Sequence, residues 1–97
     1  MSSTRLSDDQ IDRGLQALPG WERDRGVITS TYAMPTFPLG IALVDRVAQL
    51  AEAADHHPDI DIRWRRVTFG LTTHDAGGLT TKDLELAAGD PCRRAGA

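Results

Sequence analysis

The chain holds three histidines, and two of them are neighbours: His56 and His57 stand directly before Pro58, with His74 further along. An unperturbed imidazole titrates near pH 6.5, so it can both give and take a proton close to neutrality. His56 and His57 fall where a helix runs into a proline, and His74 falls at the end of an expected strand. Ends of elements are where a rigid framework presents side chains to a cleft, so the three together suggest acid/base work. Glu52 lies one helical turn before His56, near enough for its carboxylate to orient an imidazole or strengthen its hold on a proton.

Each of these residues also has a plain structural reading. A histidine at a helix C-terminus pairs favourably with the last carbonyls, His74 could simply end a strand, and Glu52 could be a solvated helix position. Trp64 reads as a core or interface residue. Asp83 stands three residues after Thr80, where a carboxylate completes a capping box, and locally that role is favoured. Zinc is the main competing chemistry, held by the histidines with Glu52 or Asp55. Adjacent residues on a helix end diverge by about 100°, however, unlike the i, i+4 pair of a His-Glu-x-x-His helix, so a metal site is not expected. There is no Gly-x-Ser-x-Gly elbow, and Gly77-Gly78 lacks the lysine and spacing of a phosphate loop.

Three helices and two strand pairs must position these groups. Ser7 and Gln10 form a capping box for a first helix, with Leu6 stapled onto Ile11 and Pro19-Gly20 as the stop. Trp21 to Arg23 and Val27 to Met34 read as a hairpin around Asp24-Arg25-Gly26. Thr36 caps a long helix from Phe37 to about Asp55, with Pro38 tolerated in its first turn. Its apolar residues form two seams, Phe37-Ile41-Val44-Ala48-Ala51 and Leu39-Leu43-Val47-Leu50-Ala54. That arc is wider than one core contact requires, so the helix should pack on its own sheet and on a partner subunit. Asp45, Gln49, Glu52 and His56 form the polar stripe.

Beyond Pro58, Ile60, Ile62 and Trp64 share one parity and Val67, Phe69 and Leu71 the other, which places a turn near Arg65-Arg66 between two strands. Asp75 to Gly78 is a loop, a last helix runs from about Thr80 to Ala88, and Gly89-Asp90-Pro91 breaks it. The expected architecture is α+β, in the order α-β-β-α-β-β-α. A four-stranded antiparallel sheet carries its helices on one face.

At 97 residues the chain is one domain, with residues 91–97 as a frayed tail. A domain this small buries only about 60–65% of its unfolded surface, so a homo-oligomer is expected. The net charge of −3 supplies no basic face for nucleic acid. The single cysteine, Cys92, excludes an internal disulfide and suits a reducing cytoplasm. No apolar run or leader suggests a membrane span or export, so a cytoplasmic protein is expected.

The run Glu52-x-x-x-His56-His57-Pro58, then Trp64 after five residues, His74 after nine more and Asp83 after another eight, resembles the signature of the pterin-4a-carbinolamine dehydratases. The likeness in element order covers roughly Leu6 to Ala88, including Leu6-Ser7, Trp21 before the first hairpin, Phe37 opening the long helix and Thr72-Thr73-His74. The resemblance implies a dimer or tetramer that removes water from a 4a-hydroxytetrahydropterin without cofactor or metal. The product is quinonoid dihydropterin, recycled after aromatic amino acid hydroxylation. It further implies His56 and His74 as the protonating pair, with His57 contacting the pterin and assisting proton removal. Glu52 would orient a histidine, Trp64 would line or support the pocket, and Asp83 would fix the loop after His74. Many relatives carry an aromatic soon after the His-His-Pro run and an Asn-containing turn between the last two strands; this chain has neither. A non-catalytic dimerisation or assembly module of the same fold is the alternative, and retention of all three histidines favours catalysis.

Overall fold

The computed structural model describes residues 4–89, so Cys92 and the tail expected to fray lie outside the described residues. The elements follow in the expected order: α1 (Asp8–Gln16), β1 (Glu22–Asp24), β2 (Val27–Ala33), α2 (Phe37–Ala54), β3 (Asp59–Arg63), β4 (Arg66–Leu71) and α3 (Thr81–Ala88). A 3-10 turn, His74–Ala76, intervenes between β4 and α3.

Three side-chain caps start the helices. Ser7 Oγ accepts from the Gln10 N–H while Gln10 Oε1 accepts from the Ser7 N–H, completing the box expected for α1. Thr36 caps α2 through the Leu39 N–H, and Thr80 with Asp83 forms a second box at α3. Each such cap contributes about 1 kcal/mol. The first helix ends at Gln16 rather than running on to Leu18; Leu18 turns into the core from the following turn instead.

The sheet is antiparallel throughout, in the order β1-β2-β4-β3. Two-residue turns close its hairpins: Asp24 pairs with Val27 around Arg25-Gly26, and Arg63 pairs with Arg66 around Trp64-Arg65. Period-two alternation then sorts the faces. Ile28, Ser30, Val67, Phe69 and Leu71 are buried under the helices, while Thr31 and Thr68 hydrogen bond to each other on the opposite face. Ile60 and Ile62 lie opposite Phe69 and Val67, hence on the helix side, yet on the edge strand they stay exposed.

The buried stripe of α2 is Gly40, Leu43, Val47 and Ala51, which mixes the two seams read from the sequence. Gly40 faces the sheet, where a Cβ would stand 3.4 Å from Val67 Cγ2, close to ordinary van der Waals contact. Phe37 and Ile41 on one flank of that stripe and Leu39 and Leu50 on the other remain exposed.

Candidate active site

The C-terminus of α2 decides where the adjacent histidines point. Asp55 adopts a left-handed conformation, φ 50°, and the chain reverses in a Schellman arrangement: the Asp55 N–H donates to the Glu52 carbonyl and the His56 N–H to the Ala51 carbonyl. His56, just past this reversal, is turned inward and buried, and His57 is left outside. The divergence expected of neighbouring residues is therefore realised, although a left-handed turn rather than helical rotation produces it.

The two histidines take different carboxylates. His56 Nε2 lies 2.5 Å from Asp83 Oδ1 in the interior. His57 Nε2 lies 2.8 Å from Glu52 Oε2 at the surface, where the two side chains are 61% and 80% exposed. Glu52 thus accompanies His57 and not the His56 that stands one helical turn away from it in sequence. An exposed pair of this kind is screened by water and orients more than it stabilises.

Asp83 has no accessible surface, and its carboxylate is fully engaged. Oδ1 faces His56, while Oδ2 accepts from the Thr73 hydroxyl at 2.8 Å and from the Thr80 N–H at 3.0 Å. Asp83 thus completes the capping box of α3 and also joins Thr73, the neighbour of His74, to His56. Charge-assisted hydrogen bonds of this sort are about twice as strong as neutral ones.

β4 ends at Leu71, so His74 stands three residues beyond the strand and opens the 3-10 turn. A bridge between Thr73 and Gly78 folds that loop back on itself. His56, His57 and His74 accordingly line one open depression of about 290 Å³, together with Asp55, Thr72, Thr73, Asp75 and Lys82. Larger depressions of about 520 Å³ beside Arg5 and Arg23 and about 530 Å³ beside Phe37 and Trp64 contain no histidine. Volume alone is a poor guide here; the small depression gathers the three histidines.

Trp64 is not brought to the histidines. It occupies the β3–β4 turn with φ 56° and is 87% exposed. Among the described residues no group of three or more His, Cys, Asp or Glu side chains is arranged to hold a metal ion. Thr73, Thr80 and Lys82 went unnoticed as site residues in the sequence. The hint was present in Thr72-Thr73-His74, where hydroxyls adjoin a candidate acid/base group, but the bond from Thr73 to Asp83, ten residues on, cannot be inferred from spacing.

The chain is matched over residues 4–89 by the family model described as "Pterin 4 alpha carbinolamine dehydratase". Proteins of Roseiflexus sp. strain RS-1 and Nocardia farcinica, provisionally named pterin-4-alpha-carbinolamine dehydratases, are 61% and 59% identical to it. The alignments cover 88% and 90% of this chain, and 91% and 92% of those proteins. Among solved structures, a transcriptional coactivator/pterin dehydratase from Brucella melitensis superposes with a TM-score of 0.88 at 29% identity, over 93% of this chain and 98% of that one. A pterin dehydratase-like protein identified as a RuBisCO assembly factor in the alpha-carboxysome shares the fold, with a TM-score of 0.60 at 19% identity over 75% and 84% of the two chains.

Proposed function

Because the chain belongs to the pterin carbinolamine dehydratase family, its match extending from residue 4 to residue 89, we propose that it dehydrates a 4a-hydroxytetrahydropterin by histidine acid/base catalysis. The single observation that carries this reading is the convergence of His56, His57 and His74 on one depression. Its volume is near the lower end of the roughly 300–1,000 Å³ typical of small-molecule sites, a size suited to one heterocycle.

The reaction explains the demand for imidazoles. Hydroxide leaves C4a poorly, so an acid must deliver a proton to the 4a-oxygen as the N5 lone pair expels it. The N5 proton must pass to a base, forming the C4a–N5 double bond of quinonoid dihydropterin and releasing water. One positioned acid or base supplies about 10² to 10⁴ in rate. Glu52 orients His57, Asp83 orients His56, and His74 approaches from the loop after β4. Trp64 serves a site only where subunits associate, because within one protomer it stands away from the depression. The chain works as a cytoplasmic homodimer or homotetramer in recycling a tetrahydropterin cofactor, without nucleic acid or membrane. No helix of the described residues is long and apolar enough to cross a membrane.

A coupled assay of quinonoid dihydropterin formation tests this reading. His56→Ala, His57→Ala and His74→Ala should each lose about tenfold or more in kcat/KM while keeping their circular dichroism. Folded variants that all retain wild-type rates would sink it. The second reading, a dimerisation or assembly module, draws on the coactivator named among the solved structures and on the exposed apolar residues of α2. Under that reading the wild-type protein itself is inactive in the assay.

A further inference from the structure

The hydrogen bonds around Asp83 fix where protons sit. A backbone N–H can only donate. The Lys82 N–H donates to Thr80 Oγ1 at 3.2 Å, and the Thr80 N–H donates to Asp83 Oδ2 at 3.0 Å. Between these, Thr73 Oγ1 lies 2.8 Å from Thr80 Oγ1 and 2.8 Å from Asp83 Oδ2. Two directions are conceivable for the chain of hydroxyls.

If Thr80 donates to Thr73 and Thr73 donates to Asp83, every proton of these buried groups has an acceptor and Oδ2 carries none. Between Oδ1 and His56 Nε2 the imidazole is ordinarily the stronger base and keeps the proton, which leaves the carboxylate ionised. If the direction is reversed, Asp83 must be protonated on Oδ2, and the hydroxyl proton of the fully buried Thr80 is left without an acceptor. A buried donor without an acceptor forfeits its hydration with no return, and the N-terminal turn of α3 favours a charged carboxylate over a neutral one. The first direction therefore wins. An ionised Asp83 needs a donor at Oδ1, and the atom at 2.5 Å is His56 Nε2.

We propose that the chain Thr80–Thr73–Asp83 locks the proton of His56 on Nε2, so that Nδ1 is the atom through which His56 exchanges a proton with the ligand. Thr73 and Thr80 are then positioning residues for His56, acting through Asp83. This deepens the dehydratase reading and rests on it for the ligand. In the resting enzyme a neutral His56 presents a lone pair at Nδ1, so it takes the N5 proton of the carbinolamine and Asp83 stabilises the imidazolium that forms. The proton for the departing 4a-oxygen then comes from His57 or His74, and water and quinonoid dihydropterin balance the step. His56 thereby changes place with the protonating role that the family resemblance implies for it.

Nitrogen NMR of histidine-labelled whole protein, with the pH raised until the ring signals stop changing, tests the lock without substrate. His56 should show a pyrrole-like Nε2 bearing hydrogen and a pyridine-like Nδ1; the opposite pattern overturns the proposal. In Asp83→Asn the amide oxygen must still accept from Thr80 and Thr73, which turns the amide NH₂ toward Nε2. The ring should switch to the Nδ1–H form, with kcat falling by about a hundredfold or more and KM little changed, as the equivalent Asp-to-Asn change does to a buried Asp–His pair in serine proteases. A folded Asp83→Asn protein with unaltered ring signals also overturns it. Should that variant fail to fold, Thr73→Val decides: its Nδ1 signal and kcat should shift from wild type, and Thr73→Ser should restore both. Reversed ring signals in a fully active wild type defeat this inference alone, whereas the expected signals in a wild type that dehydrates nothing defeat the functional reading alone.

Discussion

Two carboxylate–histidine pairs of similar length differ sharply in what they hold up. Glu52 and His57 stand mostly in water, so Glu52→Gln should change unfolding free energy by no more than about 0.5 kcal/mol and lower kcat/KM less than His57→Ala does. Asp83 is the opposite case, because its removal takes away the α3 cap and leaves His56 and Thr73 facing a buried gap. A lost cap costs about 1 kcal/mol and an orphaned buried partner about 3 kcal/mol more, so Asp83→Ala should lose about 3 to 5 kcal/mol in urea denaturation. Equal stability losses in the two variants would contradict this division. The sequence made the capping role of Asp83 legible, since Thr80 and Asp83 are three residues apart. It could not reveal the link to His56, which joins groups 27 residues apart through tertiary packing.

Turns and helix ends were readable wherever local chemistry controls them. The capping boxes of α1 and α3, the Thr36 cap and the Arg25-Gly26 hairpin all appear where their residues predicted. The Trp64-Arg65 turn was located to within a residue, but its strain was not foreseen. Trp64 sits at φ 56°, a conformation that costs an L-residue about 1 to 2 kcal/mol and that hairpins usually assign to Asn or Gly. Trp64→Gly removes that strain at an entropic cost of about 0.5 to 1 kcal/mol, so the variant should gain a few tenths to about 1 kcal/mol in urea midpoint analysis, with an unchanged slope. A destabilised variant would mean that the indole makes contacts beyond its own protomer. The pairing of Glu52 with His57 was missed for a related reason. Helical spacing predicts His56, but the left-handed Asp55 ends that spacing one residue before it.

At the scale of the molecule, the single layer of helices leaves apolar surface that one protomer does not cover. The width of the α2 arc was apparent from the alternation of seams, whereas which residues face the sheet is set by tertiary packing against β4, which buries Gly40, Leu43, Val47 and Ala51. The result is a buried stripe flanked by Phe37 and Ile41 on one side and Leu39 and Leu50 on the other, with Ile60 and Ile62 uncovered on edge strand β3. Each of these side chains would contribute about 1.5 to 3 kcal/mol if an association buried it fully, comparable with a substantial part of the stability of so small a domain. Association should therefore raise the melting temperature with protein concentration, as any equilibrium that draws on folded subunits does. Sedimentation equilibrium at micromolar concentration should give a dimer or tetramer for the wild type. Ile41→Glu and Leu50→Glu place a charge on opposite flanks of α2, so the variant that dissociates, and loses its concentration-dependent melting, identifies the flank that is covered. A wild-type monomer across that range, with a melting temperature independent of concentration, would leave these six side chains exposed in solution and remove the grounds for assigning Trp64 to a site shared between subunits.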